Sequence, residues 1–458
     1  MKTNRAILFL VIIILLTSCT TKKEKAPFKK GEFKTWAKTP PMGWNSWDCY
    51  GPTVEEHEVK ANADYMATHL KEFGWEYIVV DIRWFVENDK AGGYNQTNPR
   101  YVIDEYGRYL PAVNRFPSAK DGKGFTELAK YIHQKGLKFG IHMMRGIPKV
   151  AVENKLPIKG TNGITADQIY SPENQCEWLK DNYTIVAGKE GAQAYYNSIF
   201  ELYAEWGVDF IKVDDLSAPI YHKDEIELIR KAIDHCGRPI VLSTSPGPTP
   251  INSATHVSEN ANMWRMVNDV WDSWWHIQNL FKVSKKWYAY NTAGTWPDCD
   301  MIPLGRLSIR GERGADRMSS LTKEEQYTLM TLFTIFKSPL FFGEDLPSND
   351  AFTQLLLTNK EVLKMHSEST DVRLLFQQEG KVAITSKNKN TGETYLSLFN
   401  ISEKKSLEIT VNLADLSLAK NVKIINMWSG DEIGTFKDSF TQNIGAHASG
   451  LYIITELK

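Results

Sequence analysis

A short apolar run that ends in two carboxylates stands at Phe210-Ile211-Lys212-Val213-Asp214-Asp215. Runs of this length, rich in β-branched and aromatic residues, predict β-strands. Seven further runs of the same kind alternate with longer amphipathic segments, and they are Met42–Trp47, Tyr77–Val80, Lys138–His142, Ile240–Ser243, Met263–Val267, Trp287–Tyr290 and Leu340–Phe342. Strands that alternate with helices predict an α/β fold, and eight of them predict a (β/α)8 TIM barrel.

The pattern changes after about Val372, and the boundary falls between about 348 and 372. Turn-forming segments such as Asn390-Thr391-Gly392 now separate short runs that often alternate between apolar and polar residues. These runs are Lys381–Ser386, Thr394–Phe399, Leu407–Leu413, Val422–Met427 and Leu451–Thr455. They predict a C-terminal antiparallel β-sandwich. We therefore assign residues 38–360 to the catalytic barrel and residues 361–458 to the sandwich.

The first residues have the pattern of an export signal. Lys2 and Arg5 precede an apolar run at 6–16, which is too short to span a bilayer. The run ends at Leu16-Thr17-Ser18-Cys19, which resembles the bacterial lipoprotein box. This predicts a signal peptide at 1–18, a lipid on Cys19, a solvated tether at 19–37 and an exported protein anchored to a membrane in the periplasm or at the cell surface. The alternative is an ordinary signal peptide followed by a chance cysteine.

Composition narrows the functional classes. The chain of 458 residues has 54 basic and 55 acidic residues, a net charge of −1, which argues against a nucleic-acid partner. A hydrophobic content of 42% is enough for a packed core and excludes disorder. The 14 tryptophans suit sugar sites and plain core packing equally well. Besides Cys19 there are four cysteines, which allow three pairings if two disulfides form: Cys49, Cys176, Cys236 and Cys299.

Carboxylates follow several predicted strands. In a TIM barrel, catalytic residues lie at the carboxyl ends of the strands. The candidates are Asp81, Asp214, Asp215, Asp269, Asp298 and Asp300, beside Trp44, Trp47, Trp84, Trp264 and Trp296. Paired carboxylates in an aromatic cleft suit glycoside cleavage, in which one attacks the anomeric carbon and the other protonates the leaving oxygen. Successive residues of a strand face opposite sides, so only one of Asp214 and Asp215 can face the substrate, and the residues alone do not decide which.

The motifs around these residues resemble glycoside hydrolase family 27, the α-galactosidase family. They are Thr39–Trp47, Tyr77–Trp84, Gly140–His142, Ile211–Asp214, Trp264-Arg265 with Asp269, Trp296–Met301, Lys337–Leu340 and Gly343–Leu346. The resemblance implies a retaining exo-glycosidase that acts on oligosaccharides or polysaccharides without a metal or an organic cofactor. By position, Asp214 resembles the family nucleophile, and Asp269 resembles the acid/base. The implied substrate-binding residues are Trp47, Asp81, Ile82, Lys212, Ser245, Arg265 and Asp300.

Two departures from the family pattern fall beside the expected sugar site. Family galactosidases typically have two consecutive acids after the second strand, but here Ile82 follows Asp81. An apolar side chain cannot accept a hydrogen bond from the 6-hydroxyl of galactose. Likewise, Thr244-Ser245-Pro246-Gly247 replaces a Cys-Glu-Trp segment.

These departures favour β-L-arabinopyranose, which is α-D-galactose without its hydroxymethyl group, and the family includes β-L-arabinopyranosidases. In the alternative, another residue takes over the 6-hydroxyl and the enzyme is a true α-galactosidase. A modified galactose would suit the same barrel. A member of another class, a non-catalytic glycan-binding lipoprotein, would be expected to lack one of the two catalytic acids.

Overall fold

Eight parallel strands, numbered here β1 to β8, form the barrel. The computed structural model describes residues 26–403 and 406–457. The strands are β1 (Met42–Asn45), β2 (Tyr77–Val80), β3 (Lys138–Met144), β4 (Phe210–Asp214), β5 (Val241–Thr244), β6 (Met263–Arg265), β7 (Trp296–Asp298) and β8 (Leu340–Phe342). Their order is β7-β6-β5-β4-β3-β2-β1-β8, and a short strand, Met301–Ile302, pairs with the free edge of β8. The predicted TIM barrel is confirmed.

Two features of the sequence explain this arrangement. All four residues of β2 are buried, as expected for a parallel strand covered on both faces. The two outer strands of the sheet, β7 and Met301–Ile302, are separated only by Cys299 and Asp300. This short connection brings the two edges of the sheet together and places Asp300 at the carboxyl end of the barrel.

The seventh strand differs from the prediction. Trp287–Tyr290 was expected to be a strand, but Tyr288–Tyr290 forms a 3-10 helix, and the seventh strand is Trp296–Asp298. The Trp287 ring packs against Trp264, with the ring centroids 5.9 Å apart. A run of four apolar residues has no distinguishable period, so packing against the barrel decides its conformation.

Helices cover the outside of the barrel. The helix Glu56–His69 begins with a capping box between Glu55 and Glu58, and it buries Val59, Ala63 and Met66. The other helices are Thr126–Gln134, Ala192–Trp206, Lys223–His235, Ala254–Ser258, Trp274–Ser284, Lys323–Phe336, Ala351–Thr358 and Lys360–Glu368, with shorter ones at Trp47–Tyr50 and Lys149–Glu153. No helix in the described ranges is both long and apolar enough to cross a bilayer.

The C-terminal domain is an antiparallel sandwich, as predicted. Its strands are Thr370–Gln378, Lys381–Lys387, Thr394–Asn400, Ser406–Asn412, Val422–Asn426, Glu432–Phe436, Ser439–Gly445 and Ser449–Glu456. A six-stranded sheet packs against the pair Ser406–Asn412 and Ser439–Gly445 around an aliphatic and aromatic core. The domain is joined to the barrel helix Lys323–Phe336, where Thr328 Oγ1 donates to His447 O over 2.7 Å and Trp428 Nε1 donates to Thr331 Oγ1 over 2.8 Å.

The segment before β1 packs against the barrel. The predicted signal peptide and Cys19 lie outside the described residues, but part of the predicted tether lies within them. Phe33 is buried, and the Arg230 guanidinium lies 4.9 Å from its ring centroid and 5.0 Å from that of Trp36. Phe28 N donates to Asp234 O over 2.9 Å. The prediction of a solvated tether up to residue 37 therefore does not account for Phe33 and Ala37, whose side chains are buried, although Lys29, Lys30 and Lys34 are exposed. Burial of apolar surface favours this packing.

The thiols of the folded domains are unpaired. Within the described residues Cys49, Cys176, Cys236 and Cys299 are all free, so neither of the two disulfides that the sequence allowed is present. Burial raises the pKa of each of these thiols. They are therefore protonated and poorly nucleophilic at neutral pH.

Candidate active site

A cavity of about 570 Å³ opens at the carboxyl ends of the barrel strands. All nine predicted catalytic and substrate-binding residues line it: Trp47, Asp81, Ile82, Lys212, Asp214, Ser245, Arg265, Asp269 and Asp300. They come from six different strands or the loops that directly follow them. Such a set converges only because parallel strands have their carboxyl ends at one rim.

Asp214 ends β4 and lies among three polar neighbours. Strand register places Lys212 beside His142 of β3, and Lys212 lies two residues before Asp214, on the same face. His142 Nε2 is 2.9 Å from Asp214 Oδ2, and Lys212 Nζ is 4.0 Å from the same oxygen. Ser245, which follows β5, donates a hydrogen bond from Oγ to Asp214 Oδ1.

These neighbours keep the Asp214 carboxyl ionised. Burial alone would raise its pKa, but Lys212 and His142 outweigh burial and hold the pKa well below its usual range. Burial would likewise lower the pKa of Lys212, but Asp214 and Asp81 raise it above its ordinary value. The site therefore presents a carboxylate held by a lysine cation, and such a group can attack an electrophilic carbon.

The neighbouring Asp215 faces away from the cavity. Its backbone φ is 65°, and its Oδ2 lies 2.8 Å from Nη2 of the buried Arg145. Arg145 Nη1 also pairs with Glu225 at 2.8 Å. Burial raises the pKa of Asp215 to about 7, against the opposing effect of Arg145. The structure thus separates the two carboxylates that the strand pattern left equivalent.

Both carboxylate oxygens of Asp81 accept hydrogen bonds, one of them from Lys212. Its Oδ2 accepts from Lys212 Nζ at 2.9 Å and from Asn45 Nδ2 at 2.7 Å, while its Oδ1 accepts from Ile82 N at 2.7 Å. Burial alone would raise the pKa of Asp81, but Lys212 and His142 lower it below its ordinary value. The Ile82 side chain is buried in the cavity wall. This part of the wall therefore places a carboxylate and an alkyl group side by side.

Arg265 connects two further carboxylates. Its Nη2 is 2.9 Å from Asp269 Oδ1, and its Nη1 is 2.5 Å from Asp300 Oδ1. Asp300 is buried, and Val270 N donates to its Oδ2 over 2.7 Å. The side chain of Asp269 is 46% exposed. Of the two, only Asp269 has the access to solvent that a group exchanging protons with water requires.

The sequence analysis did not identify several residues that line or support the cavity. They are His142, which contacts Asp214, and Asp48, Tyr94, Trp178, Trp271, Glu312 and Arg313 in the wall. Burial raises the pKa of Asp48, and the Asp300 and Asp269 carboxylates raise it further, so this wall carboxyl favours its neutral form. The alternation of β3 could have identified His142, since it lies beside Lys212. No periodic pattern marks Tyr94 or Trp178, which lie in long loops.

Comparison with known proteins identifies the family to which both domains are similar. Residues 39–152 and 178–368 match the family described as alpha galactosidase A, and residues 379–454 match the alpha galactosidase C-terminal beta sandwich domain. The chain is 24% identical over 427 residues to alpha-galactosidase 2 of Arabidopsis thaliana, covering 92% of this chain and 91% of that protein. It is 27% identical to alpha-galactosidase A of Cellvibrio japonicus (strain Ueda107), over 80% of this chain and 77% of that one.

Solved structures agree in both domains. The GH27 β-L-arabinopyranosidase of Geobacillus stearothermophilus is 50% identical and superimposes with a TM-score of 0.90, covering 92% of this chain and 98% of that one. A variant of the same enzyme in complex with arabinose is 49% identical, with a TM-score of 0.91. Since the matches extend over both domains, the chain is a glycoside hydrolase that belongs to glycoside hydrolase family 27.

Proposed function

We propose that this hydrolase releases a terminal sugar of α-D-galactosyl configuration by double displacement, and that its pocket favours β-L-arabinopyranose. The ionised Asp214 and the solvent-accessible Asp269 line the same cavity, which supports the mechanism. The apolar Ile82 in its wall supports the preference. The β-L-arabinopyranosidase that is 50% identical to this chain supports both.

In the first step Asp214 attacks the anomeric carbon as the nucleophile, and Asp269 donates its proton to the departing glycosidic oxygen. In the second step Asp269 removes a proton from water, which cleaves the glycosyl ester on Asp214 and restores the original anomeric configuration. This sequence requires a separation of about 5–5.5 Å between the two carboxyl groups. It needs no cofactor.

The other predicted residues then bind the sugar. Lys212 and Asp81 are ion-paired and act as a donor and an acceptor for ring hydroxyls. Ser245 and Lys212 also orient the nucleophile. Arg265 and Asp300 form a second charged pair in the lining of the cavity. Trp47 supplies an apolar face for the ring carbons.

The single observation that carries the preference is the position of Ile82. Its buried side chain lies in the cavity wall directly after Asp81, where a hydroxymethyl group would need an acceptor. Leaving a desolvated hydroxyl without a partner costs about 1–3 kcal/mol. β-L-Arabinopyranose lacks that hydroxymethyl group, so it avoids this cost.

Rate measurements on the p-nitrophenyl glycosides of both sugars test the preference. We expect the β-L-arabinopyranoside to have the larger kcat/KM and the α-D-galactoside to be a weaker substrate. A preference for the galactoside by roughly tenfold or more, about 1.4 kcal/mol, would instead favour a true α-galactosidase acting on galacto-oligosaccharides or polysaccharide side chains. Activity on neither sugar, with tight glycan binding, would favour a binding lipoprotein.

Ile82→Asp should shift the preference toward galactose. The new carboxylate would accept the 6-hydroxyl, and we expect the ratio of the two kcat/KM values to move by about tenfold, in line with the energy of an unpaired hydroxyl. Ile82→Asn provides an acceptor without a second buried charge beside Asp81 and should move the ratio in the same direction. Ile82→Val is the matched control, since it adds no acceptor. An unchanged ratio in both polar variants would show that Ile82 does not face C5 of the sugar.

We further propose that the protein is exported and held at a membrane by a lipid on Cys19. The lipoprotein-like segment Leu16–Cys19 supports this proposal. In a bacterial host that processes lipoproteins, Cys19→Ser should move the protein from the membrane fraction to the soluble fraction, because a lipid chain gains affinity with each buried methylene. Cys236→Ser, in the folded barrel, is the control and should stay with the membrane. Persistent membrane association of the Cys19 variant would contradict lipidation there.

A further inference from the structure

The cavity extends well beyond the group of residues assigned to one sugar ring. Its volume of about 570 Å³ lies in the range of sites that enclose ligands larger than a monosaccharide. Besides the charged floor formed by Asp81, Lys212 and Asp214, the lining includes an aromatic wall and a rim of exposed polar groups. Neither feature has a role in the bond-breaking steps described above.

Three stacked aromatic rings form the wall. The centroids of Trp47 and Tyr94 are 5.6 Å apart with the planes at 26°, and those of Tyr94 and Trp178 are 6.0 Å apart at 30°. Trp47 is buried, whereas Tyr94 and Trp178 are half-buried and line the cavity. The wall therefore runs from the floor of the cavity to its mouth, the direction in which the rest of a bound oligosaccharide would extend.

A buried arginine holds this wall in place. Arg83 Nε lies 3.3 Å from Asp89 Oδ2 and 3.2 Å from Asp181 Oδ2, and its guanidinium carbon is 5.4 Å from the Tyr94 ring centroid. Arg83 thus links the loop that carries Tyr94 to the segment that follows Trp178. Gln96 Nε2 strengthens this link by donating to Trp178 O over 3.1 Å. Such support keeps the rings ordered, so little conformational entropy remains to be lost when a ligand stacks on them.

The outer part of the wall adjoins a segment that lies outside the family match. The family match omits residues 153–177 and resumes at Trp178. The segment is folded, since Tyr170–Ser171 pairs with Asn182–Ile185. This segment lies beside the wall and outside the family match. Both observations indicate that it contributes to specificity rather than to the cleavage step.

The polar rim indicates what the wall binds. The exposed residues Glu177, beside Trp178, and Glu312 and Arg313 offer acceptors and a donor in the lining of the cavity. A sugar ring has apolar C–H faces for the aromatic rings and hydroxyls at its edges for these groups. A purely aromatic leaving group could stack on the rings, but it has no hydroxyls for the rim groups to bind.

We infer that Tyr94 and Trp178 form a binding subsite for the leaving group, and that its occupant is a second sugar ring attached through the scissile bond. This inference rests on the proposed function, since it specifies the substrate as a glycan with at least two rings. It does not depend on which terminal sugar is preferred.

Trp178→Ala tests the subsite on two substrates with the same terminal sugar. One is a disaccharide, whose leaving group is a sugar, and the other is the glycosyl fluoride, whose leaving group has no ring. We expect kcat/KM for the disaccharide to fall by about tenfold, as expected for the loss of a stacked aromatic face, and that for the fluoride to change by less than about twofold. Trp178→Phe, which keeps an aromatic face, should recover most of the disaccharide activity. Trp275→Ala is the matched control, because Trp275 is 62% exposed and does not line the cavity.

The outcomes separate this inference from the proposed function. Equal losses on both substrates, or no loss on the disaccharide, would overturn the subsite while leaving the proposed function intact. The p-nitrophenyl glycoside of the same terminal sugar serves as a third substrate, and a loss of kcat/KM confined to it would overturn the assignment to a sugar. A wild-type enzyme inactive on the fluorides of both candidate sugars would overturn the proposed function itself.

Discussion

Replacing Asp214 by Ala is expected to lower turnover by at least about ten-thousandfold, because the variant lacks the carboxylate that we propose as the nucleophile. The loss should be similar for substrates with good and poor leaving groups, since both require the nucleophile. The fold should persist, because Lys212 keeps its 2.9 Å ion pair with Asp81 after the substitution. Circular dichroism and thermal unfolding of the purified variant verify this point.

Azide distinguishes a missing nucleophile from a general loss of function. The space left by the Asp214 carboxyl lies beside His142 and beside Lys212, whose positive charge suits a small anion. Azide should attack the sugar from the side that Asp214 occupied, restore part of the turnover and give a glycosyl azide of inverted configuration. Asp214→Asn, which leaves no such space, is the control and should not respond. Retained activity without azide would point to another nucleophile, Asp215 above all.

The strand ends made much of the site predictable. Once eight strands are parallel, residues that directly follow them must meet at one rim, whatever their distance in sequence. Asp81, Asp214 and Arg265 therefore lie in one cavity, although up to 184 positions separate them. The strand pattern alone cannot decide which of Asp214 and Asp215 faces the cavity. The choice depends on the positive φ of Asp215 and on its buried partner Arg145, whose loop has no regular period.

The other predictions that differ from the structure do so for a common physical reason. Trp287–Tyr290 and the predicted tether at 28–37 are short segments whose local pattern is weaker than the packing that they meet in the folded protein. The same holds for Tyr94 and Trp178, which stack across two loops 84 residues apart. Contacts of this kind are set by tertiary structure alone. They determine the shape of the cavity, which is therefore harder to predict than the convergence of the carboxylates at the strand ends.

Replacing Asp269 by Asn should produce a loss that depends on the leaving group, in contrast to the uniform loss at Asp214. General acid catalysis contributes about 10²–10⁴-fold, and a sugar leaving group needs all of it because its oxygen must be protonated as the bond breaks. Fluoride has no such requirement, so formation of the glycosyl-enzyme should remain fast while its hydrolysis, which needs Asp269 as a base, becomes slow. Rapid-mixing measurements should therefore show a burst of fluoride release followed by slow turnover.

Asp300→Asn is the matched control for this assignment, because Asp300 is the other carboxylate that pairs with Arg265. Asp300 is buried, whereas the side chain of Asp269 is 46% exposed, so only Asp269 can exchange its proton with solvent between the two steps. The Asp300 variant should weaken both substrates to a similar degree, without a burst. With Asp269→Ala, azide should intercept the glycosyl-enzyme and give a product of retained configuration, the opposite of that expected from Asp214→Ala. If both variants gave the same anomer, the two carboxylates would not have the separate roles that their surroundings indicate.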